Sequence, residues 1–143
     1  MTELAEVANV LGVARAEEPL ASPFELIRKI EDGLPVSALD RVVAFVAPAD
    51  AGFKHRVVPK ASLARRQHQK RLTAAEGERV ARIARIWAFA VEVWGEAAAA
   101  RQFLFRPHAM LLDRPPIDVV IESELGAQLV DGILGRLKYG TAA

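Results

Sequence analysis

Lys54-His55-Arg56-Val57-Val58-Pro59-Lys60-Ala61-Ser62-Leu63-Ala64-Arg65-Arg66-Gln67-His68-Gln69-Lys70-Arg71 is the stretch on which the reading of this chain turns. It holds seven basic side chains and no carboxylate. The whole chain of 143 residues has 19 basic and 18 acidic residues, so outside this stretch 12 basic residues face 18 acidic ones. One cationic segment therefore sits in an otherwise acidic protein. Val57-Val58-Pro59 reads as a turn. Residues 60–70 read as a helix whose only large apolar residue is Leu63. A helix this polar needs water or a polyanion over most of its surface. Two short helices joined by a turn, the second polar and cationic, have the outline of a helix-turn-helix.

The chemistry of such a unit assigns roles. Lys54, Arg56, Lys60 and Lys70 are candidates for the phosphate rail, where neutralising phosphates releases counterions. Ser62 can anchor a phosphate near the helix start. Arg65 and Arg66 can each bond a guanine in two places, and Gln67 or Gln69 an adenine. The bland alternative is a solvated charged face. Ordinary surfaces mix their signs, and this one does not.

Upstream, residues 1–21 are weakly patterned and read as an arm with at most a short helix along Leu4, Val7, Ala8 and Leu11. Ser22-Pro23-Phe24-Glu25 has the form of a capping box with proline at the first helical position. The helix it opens carries Phe24, Leu26, Ile27 and Ile30 and ends at Gly33. Ser37 opens another, with Leu39, Val42, Val43 and Val46 as its apolar side, stopped by Pro48. Residues 48–57 form a weaker third helix, because Gly52 costs about 1 kcal/mol relative to alanine in a helix interior.

Downstream, Thr73-Ala74-Ala75-Glu76 is a second capping box. It starts the longest helix, which runs to Trp94 and stops at Gly95. Val80, Ile83, Ala84, Trp87, Ala90, Val91 and Trp94 recur at three and four residues. Trp87 and Trp94 are either a core stripe or the floor of a partner groove. A shorter helix spans 96–105. Pro107, Pro115 and Pro116 frame a loop, with a turn of helix to follow. The last helix runs from Ser123 to Tyr139, with Leu125, Leu129, Ile133 and Leu137 on one line. Gly132 and Gly135 each cost about 0.8–1 kcal/mol inside it. Such glycines admit close approach, by a neighbouring helix or by a partner. Arg136, Lys138 and Tyr139 end the helix as a cationic, aromatic tip.

Composition narrows the function. Hydrophobic residues make up 52% and aromatics 6%, much of the apolar share being alanine, which suits close-packed helices. No segment alternates with period two, so the fold class is all-α. With no cysteine there is no disulfide framework, thiolate zinc site or cysteine nucleophile. His55, His68 and His108 have no metal-ligand spacing, and no catalytic constellation or cofactor motif is present. The first 22 residues carry Glu3, Glu6, Glu17 and Glu18 without a basic region or apolar run, so no secretory leader is expected. No uncharged run of 18 residues is present, which predicts no membrane span and a cytoplasmic protein, and the missing catalytic constellation predicts that it is not an enzyme. Three regions are expected: an arm over 1–21, a helix-turn-helix domain over 22–72 and a helical domain over 73–143.

The order of these stretches resembles the Xre/MbcA/ParS antitoxins of bacterial type II toxin–antitoxin systems. Leu34-Pro35-Val36-Ser37-Ala38-Leu39-Asp40 is similar to the start of that family's Xre-like helix-turn-helix domain, and Ala61 to Arg66 to its recognition helix. Arg71 to Gly95, Gly126-Ala127 and Ile133 to Gly140 resemble its toxin-binding domain. The family's Leu-Gly-Gly-Arg-Thr-Pro turn corresponds here to Leu111-Leu112-Asp113-Arg114-Pro115-Pro116, with both glycines replaced. The resemblance implies a RES-domain toxin partner that consumes NAD, with an NAD pocket obstructed by the antitoxin's C-terminal domain. It places Gly132, Gly135, Arg136, Lys138 and Tyr139 at the toxin. It also implies a homodimer, within a hetero-oligomeric complex, that binds its own operator DNA and represses transcription. Two rivals keep parts of this picture. One is a DNA-binding repressor whose C-terminal half only dimerises; the other is a helical adaptor with no DNA activity.

Overall fold

The computed structural model describes residues 3–140. Nine α-helices and a 3-10 turn make up its regular structure, and no strand occurs among the described residues. The helices are α1 (Glu3–Leu11), α2 (Pro23–Asp32), α3 (Val36–Val46), α4 (Phe53–Val57), α5 (Lys60–Gln69), α6 (Ala74–Trp94), α7 (Ala97–Phe105), α8 (Pro116–Glu122) and α9 (Glu124–Tyr139). The all-α expectation is met.

Helix α6 is the axis of the molecule. It packs against α1, α2 and α3 on one side of the chain order and against α7, α8 and α9 on the other. The capping box at its start is complete. Thr73 Oγ1 accepts the Glu76 amide at 3.1 Å, and Glu76 Oε1 accepts the Thr73 amide at 2.8 Å. Val80, Ile83, Ala84, Trp87 and Ala90 are buried as the periodicity requires. A single apolar cluster runs from Val7 to Leu134 through α6, so the regions on either side of residue 72 share one core.

Within residues 1–21 the short helix along Leu4, Val7, Ala8 and Leu11 forms as α1, and the correction is that it is no loose arm: it packs on α6 and α3, with Val7, Ala8, Val10 and Leu11 buried. Its C-terminal carbonyls are satisfied by a distant side chain. Arg41 of α3 donates to Asn9 O at 2.8 Å and to Val10 O at 3.3 Å. Gly12, at φ +72°, makes room for that guanidinium, because a Cβ there would fall 2.5 Å from Arg41 Cδ and Nε.

Three local expectations also change. Ser22 makes no side-chain cap; Glu25 accepts instead from the Ala21 amide at 2.7 Å. On α2, Leu26 and Ile30 pack on the core while Phe24 and Ile27 lie exposed. The third helix begins only at Phe53, because Ala47 to Gly52 form turns in which Asp50 Oδ1 accepts the Gly52 amide at 3.0 Å.

Helix α9 buries Gly126, Ala127, Val130, Ile133 and Leu134. The leucine line read from the sequence is therefore not the core face: Ile133 points inward, while Leu125, Leu129 and Leu137 are exposed. Gly126 is what brings α9 onto α8. A Cβ there would lie 2.0 Å from Val119 O.

Candidate nucleic-acid interface and partner-binding face

Helix α4 buries Phe53 and Val57, and α5 buries Leu63, which seats the helix-turn-helix on the core through three side chains and Val58. Pro59 precedes α5, and Arg79 of α6 donates to Val57 O at 2.6 Å, fixing the turn from below. The outward surface of α5 then carries Lys60, Arg65, Gln67, His68 and Gln69, with Lys70 at its left-handed end (φ +65°). Ser62 is half-buried and accepts a long hydrogen bond from Arg65 at 3.4 Å. Lys54 is half-buried on α4.

Two of the predicted DNA contacts are committed elsewhere. Arg66 is 14% exposed, and its Nε donates to Glu76 Oε1 at 2.7 Å while Nη1 donates to Gln69 Oε1 at 3.2 Å. Its guanidinium thus ties α5 to the start of α6, and its expected role as a base reader gives way to a structural one. Arg56 pairs with Asp118 of α8, an ion pair that joins the helix-turn-helix to the C-terminal half. Burial pushes the Glu76 carboxyl up, but the Thr73 amide and the Arg66 guanidinium outweigh it, and the group lies below its ordinary range.

Two further arginines lie along α6. Arg82 is buried and donates to Val120 O at 2.8 Å and Ile121 O at 2.9 Å, closing the C-terminal end of α8. Arg85 bonds Asp131 of α9 at 2.6 Å and Glu124 at 3.1 Å. With Arg79, these side chains clamp one long helix to three separate elements. Spacing along one helix could not have shown which distant carbonyl or carboxylate each would find.

The C-terminal face is built on α9. Leu125, Leu129, Gly132 and Arg136 follow at i, i+4, i+7 and i+11 and are all exposed. A Cβ at Gly132 would touch only the end of Arg136 at 3.8 Å, and one at Gly135 would touch nothing within 4 Å. Among the described residues, no other helix comes within 4 Å of either Cβ position. Of the predicted tip, Tyr139 is exposed and Arg136 rests on Met110 Sδ at 3.6 Å. Lys138 departs from expectation. It folds back to Glu92 of α6, and its ammonium sits 5.9 Å from the Phe89 ring centre and 5.1 Å from that of Tyr139.

The two tryptophans divide. Trp87 is buried beneath Arg101, whose guanidinium lies 5.4 Å from its ring centre. Trp94 is half-exposed against Phe103, at 5.7 Å between rings, and lines a cleft of about 260 Å³ with Arg106, His108 and Leu137. No group of three His, Asp or Glu side chains able to hold a metal occurs among the described residues, and no helix there is long and apolar enough to cross a membrane.

Comparison with known proteins agrees with this division of labour. Residues 25–85 match the antitoxin Xre-like helix-turn-helix domain. Residues 89–140 match the antitoxin Xre/MbcA/ParS C-terminal toxin-binding domain. A protein of Yersinia enterocolitica named Antitoxin Xre is 32% identical over 125 residues, covering 85% of this chain and 84% of that one. Another of that name, from Pseudomonas putida, is 27% identical over 124 residues, covering 85% and 76%.

Proposed function

We propose, for a chain that belongs to the Xre/MbcA/ParS antitoxin family and carries both its helix-turn-helix and its toxin-binding domain, that the partner is a RES-domain toxin that consumes NAD. The chain obstructs the toxin's NAD pocket with the end of α9 and represses its own operon through α5. The observation that carries the first half is the open face of α9. At Gly132 and Gly135 no described residue outside α9 comes within 4 Å of where a Cβ would sit, beside an exposed Arg136 and Tyr139. Glycines kept in a helix interior at a stability cost are accounted for by a partner's close approach. A flat exposed ring such as Tyr139 suits a slot built for a nucleotide base. Lys138, although paired with Glu92, is close enough to Tyr139 to enter with it.

For the second half, Lys54, Lys60, Ser62 and Lys70 supply phosphate contacts, and Arg65, Gln67 and Gln69 supply base-edge contacts. A homodimer would present two such helices to a palindromic operator.

The test uses the open reading frame adjacent to this gene, expressed alone and together with the chain. Cellular NAD should fall only when the chain is absent. A neighbour that leaves NAD and growth untouched in both cases overturns the toxin reading. The exposed Leu125 and Leu129 would then favour the second reading, a repressor that uses α9 to dimerise.

A further inference from the structure

The loop between α7 and α8 is held by more bonds than its length requires. The His108 amide donates to Arg114 O at 3.1 Å, and His108 O accepts the Leu111 and Asp113 amides at 2.9 and 3.0 Å. His108 Nδ1 accepts the Met110 amide at 3.1 Å. Leu111 is buried beneath the loop, and Arg114 pairs with Glu122 at 2.7 Å. At its crest two consecutive residues are left-handed, Leu112 at φ +56° and Asp113 at φ +61°. The two residues that stand where the resembled motif has glycines thus hold a conformation that glycine adopts freely. Aspartate tolerates this region through local hydrogen bonding, but leucine gains nothing to offset the clash of its Cβ.

Leu112 is also 89% exposed, more than any other large apolar residue described. It bears backbone strain and full hydration together, and no contact within the chain compensates for either. Strain that persists because its surroundings over-determine it marks functional sites. The loop's hydrogen bonds hold the backbone that presents this side chain, so docking it costs side-chain rotamer freedom without loop ordering. Its surroundings state the partner's chemistry. Met110 is exposed beside Arg136, and two arginines without a carboxylate partner among the described residues, Arg106 and Arg136, outnumber the one carboxylate at the crest, Asp113.

We propose that Leu112 is a preformed anchor that enters an apolar pocket with an acidic rim on the toxin, held outward by the strained turn. The proposal rests on the antitoxin reading and places the turn, as well as the end of α9, in the toxin interface.

Leu112→Gly and Leu112→Asn in the full chain test it, because both residues accept a positive φ and both remove the apolar side chain. Thermal unfolding should shift upward by about 2–4 °C in each. Affinity for the toxin of the adjacent open reading frame should fall at least about tenfold. Stability and binding moving in opposite directions excludes misfolding as the cause of the loss. Affinities within about twofold of the parent in both variants would overturn the anchor. A lower midpoint in both would overturn the strain argument, and parent binding indifferent to salt would remove the acidic rim. A parent chain that fails to bind at all overturns the antitoxin reading itself, and the wild-type control reports that separately.

Discussion

Arg66 Nε lies 2.7 Å from Glu76 Oε1, and the same oxygen accepts the Thr73 amide at 2.8 Å. One carboxylate therefore caps the axial helix and tethers the helix that presents the basic surface. The DNA-facing unit is in this way continuous with the core on which the toxin-binding helices pack.

Replacing Glu76 with alanine removes the return half of the capping box, the acceptor of the Thr73 amide, and leaves a mostly buried guanidinium without its carboxylate. The two losses together should cost about 2–3 kcal/mol. The pH dependence has a definite sign. The folded-state pKa of Glu76 lies below its ordinary value of 4.5. Its contribution is therefore complete above that value and is lost as pH falls through the lower folded value. Urea unfolding of the parent should weaken more steeply below about pH 4.5 than that of Glu76→Gln, which keeps an acceptor for Thr73 but has no charge to titrate. Parallel curves for the two would show that the Arg66 pair contributes nothing.

Arg65 and Arg66 are adjacent in sequence and differ in task. Arg65→Ala should leave the melting temperature near the parent value and weaken operator binding, with a shallower dependence on salt if a phosphate contact is lost. Arg66→Ala should lower the melting temperature first, because it leaves the mostly buried Glu76 carboxylate without its cation. Melting curves together with DNA titrations at two salt concentrations separate the cases. A stable Arg66→Ala with selectively lost DNA binding would return Arg66 to the base-reading set.

The sequence was legible wherever local chemistry decided the outcome. The Thr73 capping box, the stop at Gly95, the Val57-Val58-Pro59 turn and the stripe of α6 from Val80 to Ala90 follow from short-range rules and stand, whereas the last two members of the stripe, Val91 and Trp94, are not buried. It was illegible where distant groups decided. Nothing near Val7 or Leu11 announces that Arg41, some thirty residues on, will cap their helix and turn an apparent arm into core. The leucine line of α9 misled for the opposite reason. Leu125 and Leu129 repeat as core residues do, yet the small face at Gly126 and Ala127 packs more closely and takes the inside. At the site, Arg56 and Lys138 looked free because their partners, Asp118 and Glu92, lie far away along the chain. The backbone of Leu112 and Asp113 could not be read from residue type, which by itself argues against a left-handed pair.

The three glycines of α9 give the sharpest contrast between folding and binding. Gly126→Ala drives a methyl group to 2.0 Å from Val119 O, so α8 and α9 must separate, at an expected cost of about 2 kcal/mol or more. Gly135→Ala meets nothing, and Gly132→Ala only a movable arginine end, so each should raise the stability of the free chain by up to about 1 kcal/mol through helix propensity. The same two substitutions should weaken toxin binding, because the surface left bare for a partner's backbone is then occupied. Calorimetric unfolding of the free chain and titration with the toxin measure the two effects independently. Unimpaired binding by a stabilised Gly132→Ala, Gly135→Ala double variant would move the toxin contact off this face and toward the cleft at Trp94.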